Sequence, residues 1–369
     1  VIHWPSPTGS EATIDRIEVG PVTVSLPVPW GPDVTEVTFI DVTVTDSDGA
    51  IGHGFSWTPS IGAASATAML ANDITSWALG RGVDPTESWE PLWAHLHEAG
   101  GSGITTIAMA GLDLALWDLA ATRQGVALGR LVGAGNSGSP AYGSGINLHY
   151  SLNELLAQAR DWVDAGFDAV KIKVGSPDLQ RDLERVAAVR EVIGDRRLRI
   201  DANQRWDLDT ATTALERLAA FDLDWIEEPL RADDLEGYVK LAGRTSVPIA
   251  CGENLHNRYR FGEFAHSGAV RTLQPNLVRI GGITPLAAIA ADAADHGIDI
   301  ALHLLPELSG QIAPAIGPTS PVEIIAGAGF DAIGATTDPT PLIVEAGRVS
   351  FRDHVGTGIR FSHLPVPTV

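Results

Sequence analysis

Lysine is nearly missing from this chain: three residues in 369, against twenty-two arginines. Positive charge therefore comes almost always from a side chain whose pKa stays above about 12 and which does not act as a base. Cysteine occurs once, at Cys251, which excludes an intrachain disulfide and a cysteine-cluster metal site. Cys251 lies in an apolar, strand-like run and reads as a small buried hydrophobe. There is no basic surplus either, since 46 acidic residues face 25 basic ones for a net charge of −21. Nucleic acid and anionic membranes both require a basic face, so neither is expected as a partner. No apolar stretch is read as a membrane span, and the N-terminal region carries no basic, apolar, small-residue export pattern. A cytoplasmic protein is the default expectation. With 44% hydrophobic and 19% charged residues, the composition suits one large globular domain and a smaller one.

Two of the three lysines stand two residues apart, at Lys171 and Lys173. In a strand, residues i and i+2 share a face, so both ammonium groups point the same way. Burial or a neighbouring cation can bring such a lysine to roughly 7–8, where it serves as a base. The chain around them divides into regions. Strand-like runs at 13–19, 37–45 and 51–55, with Asp48-Gly49 as a tight turn, predict an antiparallel sheet. The proline-containing segment 25–33 predicts a loop. Helical patterns follow near 62–79, 86–98 and 104–124, and a Gly/Ser/Pro-rich stretch at 133–140 marks a boundary. Beyond it, eight short apolar runs alternate with helical segments, near 142–148, 168–174, 197–201, 223–227, 247–251, 270–274, 298–302 and 321–325. Eight parallel strands can close into a barrel. An open doubly wound sheet is the alternative, weakened by the missing Gly-rich fingerprint after the first run. The expected division is a capping region at 1–133, a barrel at 134–335 and a β-like tail at 336–369 that returns to the cap.

Reactive groups of a parallel barrel come from the C-terminal ends of its strands. Those ends read Lys171/Lys173, Asp201, Glu227, Glu253, Asn276, His303 and Glu323. Asp201, Glu227 and Glu253 are spaced 26 residues apart each time. Singly, each is explained as a helix cap or a first-turn charge. Together on one face they would repel unless a divalent cation joined them, and an all-oxygen site favours Mg²⁺ over zinc or copper.

These stretches resemble the enolase superfamily, in its mandelate racemase-like branch. The resemblance rests on Lys171-Ile172-Lys173, Ile200-Asp201-Ala202-Asn203-Gln204, Trp225-Ile226-Glu227-Glu228-Pro229, Gly252-Glu253-Asn254, Gln274-Pro275-Asn276 through Gly281-Gly282-Ile283-Thr284, and His303-Leu304-Leu305-Pro306-Glu307. It implies a modified (β/α)8, TIM-type barrel of (β/α)7β form with an α+β capping domain built from both ends of the chain. It also implies abstraction of the proton α to a carboxylate, giving an enediolate held on Mg²⁺. On that resemblance Asp201, Glu227 and Glu253 would be metal ligands and Lys173 the base. Lys171, Asn203 and Glu323 would meet the substrate carboxylate or its developing oxyanion, and His303 would act from the opposite face. A Lys or His base working beside Mg²⁺ is the general pattern of this superfamily. For Lys171 the plain alternative is charge balance, for Asn203 a helix cap, for Glu323 a strand-end charge. Glu228 and Glu307 are read as supporting residues and stay outside the site.

One position departs from the branch's pattern. Asn276, 27 residues before His303, stands where an Asp would support the histidine. Asn accepts a hydrogen bond and fixes a tautomer, but supplies no negative charge, which makes His303 a weaker base. Racemisation needs acid–base groups on both faces of a planar intermediate; dehydration needs one base and an acid for the departing β-hydroxyl. The leading expectation is therefore a dehydratase of a hydroxy or sugar acid. A racemase, epimerase or lactone cycloisomerase is the alternative, and a catalytically silent binding protein the remote one. Trp30, His53, Phe55 and Trp57 are candidates for a lid over the substrate, with Trp30 and Phe55 the chosen contacts. A homo-oligomer, dimer to octamer, is what the resemblance implies.

Overall fold

The computed structural model describes residues 4, 11–30, 34–59, 61–134 and 138–362. Three antiparallel strands open the chain: β1 (Ile14–Ser25), β2 (Glu36–Asp46) and β3 (Ile51–Thr58), in that order. Asp46 makes the β2–β3 turn, its carboxylate accepting from the Asp48 and Ala50 amides at 3.0 and 2.9 Å. Gly49 takes the left-handed φ of 84° that this turn requires. β1 runs on through Pro21 to residue 25, past its expected end. Proline is tolerated there because β1 is an edge strand. The loop expectation for 25–33 falls partly on residues 31–33, which lie outside the described residues.

Helices α1 (Ala63–Met69) and α2 (Thr75–Ala78), joined by a π turn, precede α3 (Pro85–His95), α4 (Ile104–Gln124) and α5 (Leu128–Leu131). α4 lies directly on the sheet, at a distance only glycine permits. A Cβ on Gly54 would stand 2.3 Å from the backbone of Ala115 and Gly111. α4 also corrects the expectation that no stretch is long and apolar enough to cross a membrane. By length and composition it is, with mean hydropathy 1.4 over the relevant window. Yet 94% of that window is buried inside the protein. A helix covered on every side needs apolar residues on every side.

The eight expected runs form β4 (Ser139–Ser144), β5 (Ala169–Lys173), β6 (Arg197–Asp201), β7 (Leu223–Glu227), β8 (Ile249–Cys251), β9 (Thr272–Leu273), β10 (Asp299–Ile300) and β11 (Val322–Ile325). Seven helices separate them: α6 (Leu152–Asp164), α7 (Leu179–Ile193), α8 (Leu208–Leu218), α9 (Leu235–Ala242), α10 (Arg258–Ser267), α11 (Leu286–Asp295) and α12 (Pro306–Ile316). The strands pair in parallel from β10 back to β4, β4 pairs β11, and a parallel bridge from Leu302 to Val322 closes the ring. Many acidic residues after these strands are caps. Asp178, Asp207 and Asp234 accept amides at the starts of α7, α8 and α9, and Ser151 with Glu154 makes a capping box on α6.

A hairpin of β12 (Leu342–Glu345) and β13 (Arg348–Phe351) adds antiparallel to the start of β4, so the tail first extends a barrel strand. It then reaches the cap, where the Thr357 amide donates to Asp118 of α4 at 2.6 Å and Phe361 stacks on Phe39 at 4.8 Å. Asp113, one turn earlier on α4, accepts from the Ile283 amide at 2.6 Å and from Thr284. Burial pushes its carboxyl up to about 7 against those hydrogen bonds. Trp89 and Trp117 donate to Gly281 and Thr284 of the same loop. A Cβ on Gly282 would meet the Asp113 carboxylate at 2.1 Å. The Gly281–Thr284 stretch is therefore the dock between barrel and cap.

Candidate active site

The register of β5, β6 and β7 aligns Lys173 with Asp201 and Asp201 with Glu227. All three project from the C-terminal rim. Glu253 differs from its sequence spacing: it stands two residues beyond β8, past Gly252. A Cβ on Gly252 would come within 2.5 Å of the Gln274 amide, so this tight passage needs glycine. Seven non-glycine residues have positive φ among those described, and five line this rim: Asn203, Gln204, Glu228, Leu304 and Leu305. Backbone strain of this kind gathers at functional sites.

Lys171 is sealed in, 1% exposed. Its ammonium lies 2.7 Å from Glu227, 2.7 Å from Glu323 and 3.6 Å from Asp201. Burial works to discharge it, but these carboxylates prevail and raise its pKa well above the usual value. In this structure its ammonium faces protein carboxylates, the arrangement of charge balance that was the plain alternative for Lys171. Glu323 is likewise turned inward, 1% exposed. Burial raises its carboxyl and Lys171 and His303 lower it, leaving it at about 2.

Lys173 lies 2.5 Å from Asp201. Burial lowers its pKa, and of the cations expected to depress it, Lys171 does so here. The adjacent Asp201 carboxylate nevertheless holds the ammonium above its usual range. Glu227 accepts from Lys171 and, at 2.7 Å, from Gln274. Burial first, and then Asp201, Glu323 and Glu253, push its carboxyl up to about 7 despite Lys171. Glu253 lies 2.8 Å from His303 Nε2. His303, Lys173 and Arg279 outweigh burial and hold it well below the carboxylate range.

The residues fit a divalent cation. Asp201, Glu227, Glu253 and Glu323 bring four carboxylates against two ammoniums, a formal excess of two negative charges. An oxygen of Glu227, one of Glu253 and a nitrogen of His303 lie within 4.8 Å of one another. Oxygen donors in excess charge are what Mg²⁺ selects. Behind them Glu228 is buried, accepting from Gln204 and Asn254 at 3.0 and 2.8 Å, and burial raises its carboxyl well above the usual value.

The Asn276–His303 pair has a defined polarity. Asn276 Oδ1 accepts the amides of Val278 and Arg279 at 3.1 and 3.2 Å. Its Nδ2, a donor only, therefore faces His303 Nδ1 at 3.0 Å. His303 Nδ1 must accept, which puts the ring proton on Nε2. Sequence reasoning has Asn276 accept from the ring; the structure has it donate.

Asn203 is exposed at the rim with φ 44°, and its amide donates to Asp201 at 2.8 Å. Asp207, not Asn203, caps α8. The lid expectation fails for Phe55, which is 3% exposed and packs edge-on against Phe330 and Phe361 at 5.6 and 5.2 Å. Its ring is occupied by the cap core. Trp57 is also buried, and His53 turns its Nδ1 to Thr43. Trp30 is half-buried, edge-on to Trp57 at 6.3 Å, an anchor for its loop. Gln274, Gln204 and Asn254 were not singled out from sequence. They lie inside stretches that were, but nothing in their spacing marks them as holders of carboxylates.

Two family models match the chain: "Mandelate racemase / muconate lactonizing enzyme, N-terminal domain" over residues 18–133, and "Enolase C-terminal domain-like" over residues 154–363. A 3,6-anhydro-alpha-L-galactonate cycloisomerase from Streptomyces coelicolor is 36% identical over 87% of this chain and 88% of its own. An L-talarate/galactarate dehydratase from Salmonella typhimurium is 36% identical over 76% of this chain and 71% of its own. The crystal structure of an L-talarate dehydratase from Polaromonas sp. JS666, complexed with Mg and L-glucarate, superposes with a TM-score of 0.85 at 32% identity, over 96% of both chains.

Proposed function

The chain belongs to the mandelate racemase/muconate lactonizing enzyme family of the enolase superfamily, and from that premise we propose that it is a magnesium-dependent dehydratase of a hydroxy or sugar acid. Asp201, Glu227 and Glu253 would hold the ion. Bound there, Mg²⁺ would balance the carboxylates, loosen the hold of Asp201 on Lys173 and supply positive charge to the substrate's carboxylate oxygens. Lys173 takes the α-proton. Asn203, exposed at the rim, is the candidate to orient the acid, and Lys171 with Glu323 fixes the charge beneath it.

The observation that carries one-sided chemistry is the polarity of Asn276 and His303. To act as a base, Nε2 must be bare, which moves the ring proton to Nδ1, against the Asn276 amino group. Turning the amide over would set that group against two backbone N–H groups. Losing such bonds costs about 1–3 kcal/mol, roughly a tenfold to hundredfold penalty. His303 therefore offers a hydrogen bond, Nε2–H, to a leaving hydroxyl or a developing oxyanion. The proton that Lys173 takes from the α-carbon and the hydroxide lost from the β-carbon together make the water released, while His303 Nε2–H stabilises the departing oxygen and keeps its own proton. The dehydratase relative supports this reading, and the cycloisomerase relative keeps lactone isomerisation as the second one. A panel of acid sugars and hydroxy acids with Mg²⁺, assayed for 2-keto acid and for solvent deuterium exchange, tests it. Keto acid formation that depends on Lys173 supports dehydration; isomerised product without keto acid overturns it. A cytoplasmic setting and a homo-oligomeric state belong to the same proposal, and light scattering after size exclusion checks the second.

A further inference from the structure

α10 and α11 pack side by side on the outside of the barrel, and three side chains at their ends have a chemistry the catalytic cluster does not use. Asp292 is on α11, His296 caps its C-terminus, and His266 is on α10. One nitrogen of each imidazole and one oxygen of Asp292 lie within 4.8 Å of one another. The two rings are 4.2 Å apart, centroid to centroid. Gly262 lets α10 come against Asp292, since a Cβ there would stand 2.8 Å from its carboxylate. His266 Nδ1 meets the Gly262 carbonyl at 2.7 Å and His296 Nδ1 the Asp292 carbonyl at 2.8 Å. A carbonyl only accepts, so both Nδ1 atoms carry the proton here and leave the lone pairs to Nε2; His296 Nδ1 is also the nitrogen 3.6 Å from Asp292 Oδ1, so its ring has to turn to offer Nε2 to an ion. Backbone carbonyls hold metal-ligating histidines in this tautomer.

The geometry points to a second metal site on His266, Asp292 and His296, which takes a borderline transition metal, Zn²⁺ foremost. Two imidazoles and one carboxylate are a zinc donor set, whereas Mg²⁺ disfavours nitrogen ligands. Tetrahedral ligands at zinc distances stand roughly 3.4 Å apart, so side-chain rotation within the present cluster suffices. A cavity of about 440 Å³ bordered by Arg258, Tyr259, Gly262, Glu263, His266 and Asp292 leaves a fourth position open to water. The site joins α10 to α11 as an external clip, and the two sites sort metals by donor type.

Co²⁺ serves as the probe, added to the full-length protein in saturating Mg²⁺ and followed by visible absorption. The expected result is an intense tetrahedral band at one equivalent, displaced by Zn²⁺. His266→Gln and His296→Gln should each weaken binding about tenfold or more, with kcat/KM in Mg²⁺ unchanged. No band in the wild type overturns the proposal. So does a band that survives both substitutions, which would place the metal at the catalytic carboxylates instead.

Discussion

Two layers inside the barrel, two residues apart on the same strands, handle buried charge in opposite ways. In the lower layer Arg199 pairs with Asp224 at 2.8 Å and lies between the rings of Tyr142 and Trp225, at 4.3 and 3.6 Å from their centroids. Ala169, Ala250 and Ala301 complete the packing around those rings. One cation meets one anion and two π faces, and the charge is matched. In the upper layer Lys171, Asp201 and Glu227 occupy the next inward positions, and there carboxylates outnumber ammoniums. Buried charge left unmatched is costly. The lower layer is a plug, its Asp224 carboxylate 27% exposed, and the upper layer, whose Asp201 and Glu227 are fully buried, a receptor for a cation.

Breaking the upper layer at its base should have the largest effect. Lys173→Met is expected to lower kcat by about 10³–10⁴-fold, at the upper end of acid–base contributions, and to abolish α-proton exchange measured by NMR in deuterium oxide. Mg²⁺ affinity, read by calorimetry, should survive that change.

The receptor itself comes next. Mg²⁺ should raise the melting temperature in a concentration-dependent way, and Glu253→Gln should remove the rise. Because the Glu227 carboxyl sits at about 7, protons compete with the ion below that pH. Apparent Mg²⁺ affinity should therefore climb as pH rises toward about 7, by up to about tenfold per unit, and level off above it. A flat profile would mean that Glu227 is not a ligand.

In the lower layer, Arg199→Met leaves Asp224 without its partner and should cost about 3 kcal/mol, seen in urea denaturation. Under conditions where the variant stays folded, its kcat/KM should remain close to that of the wild type. An equal loss of activity would show that the two layers are not separable.

The smallest change sharpens the chemistry of the rim. Asn276→Asp gives His303 Nδ1–H an acceptor and leaves Nε2 bare. Deuterium exchange through the second face should then increase about 10–100-fold, with stability little altered.

The strands and helices were legible because periodicity records burial. All eight barrel runs were found, the one at 142–148 displaced toward its end because β4 begins at Ser139. Pro21 hid the second half of β1, since edge position is a tertiary fact. The helix expected near 104–124 is α4 to the residue, and only Asp113 and Asp118 within it wait on the tertiary structure, since they are explained by the loop and tail they hold. Phe55 was chosen for a lid loop, whereas it lies on β3, and the glycines just before it let α4 close over that strand.

The sequence by itself determined the carboxylate ladder, the lysine pair and the strand order, because each is written at a fixed step along a repeating unit. Only the tertiary structure decided that Lys171 faces protein carboxylates, that Asn276 donates to His303, and that one interior layer is balanced while the next is not. The physical reason is that hydrogen-bond direction and charge balance depend on every neighbour in three dimensions, whereas spacing along the chain reports one element at a time.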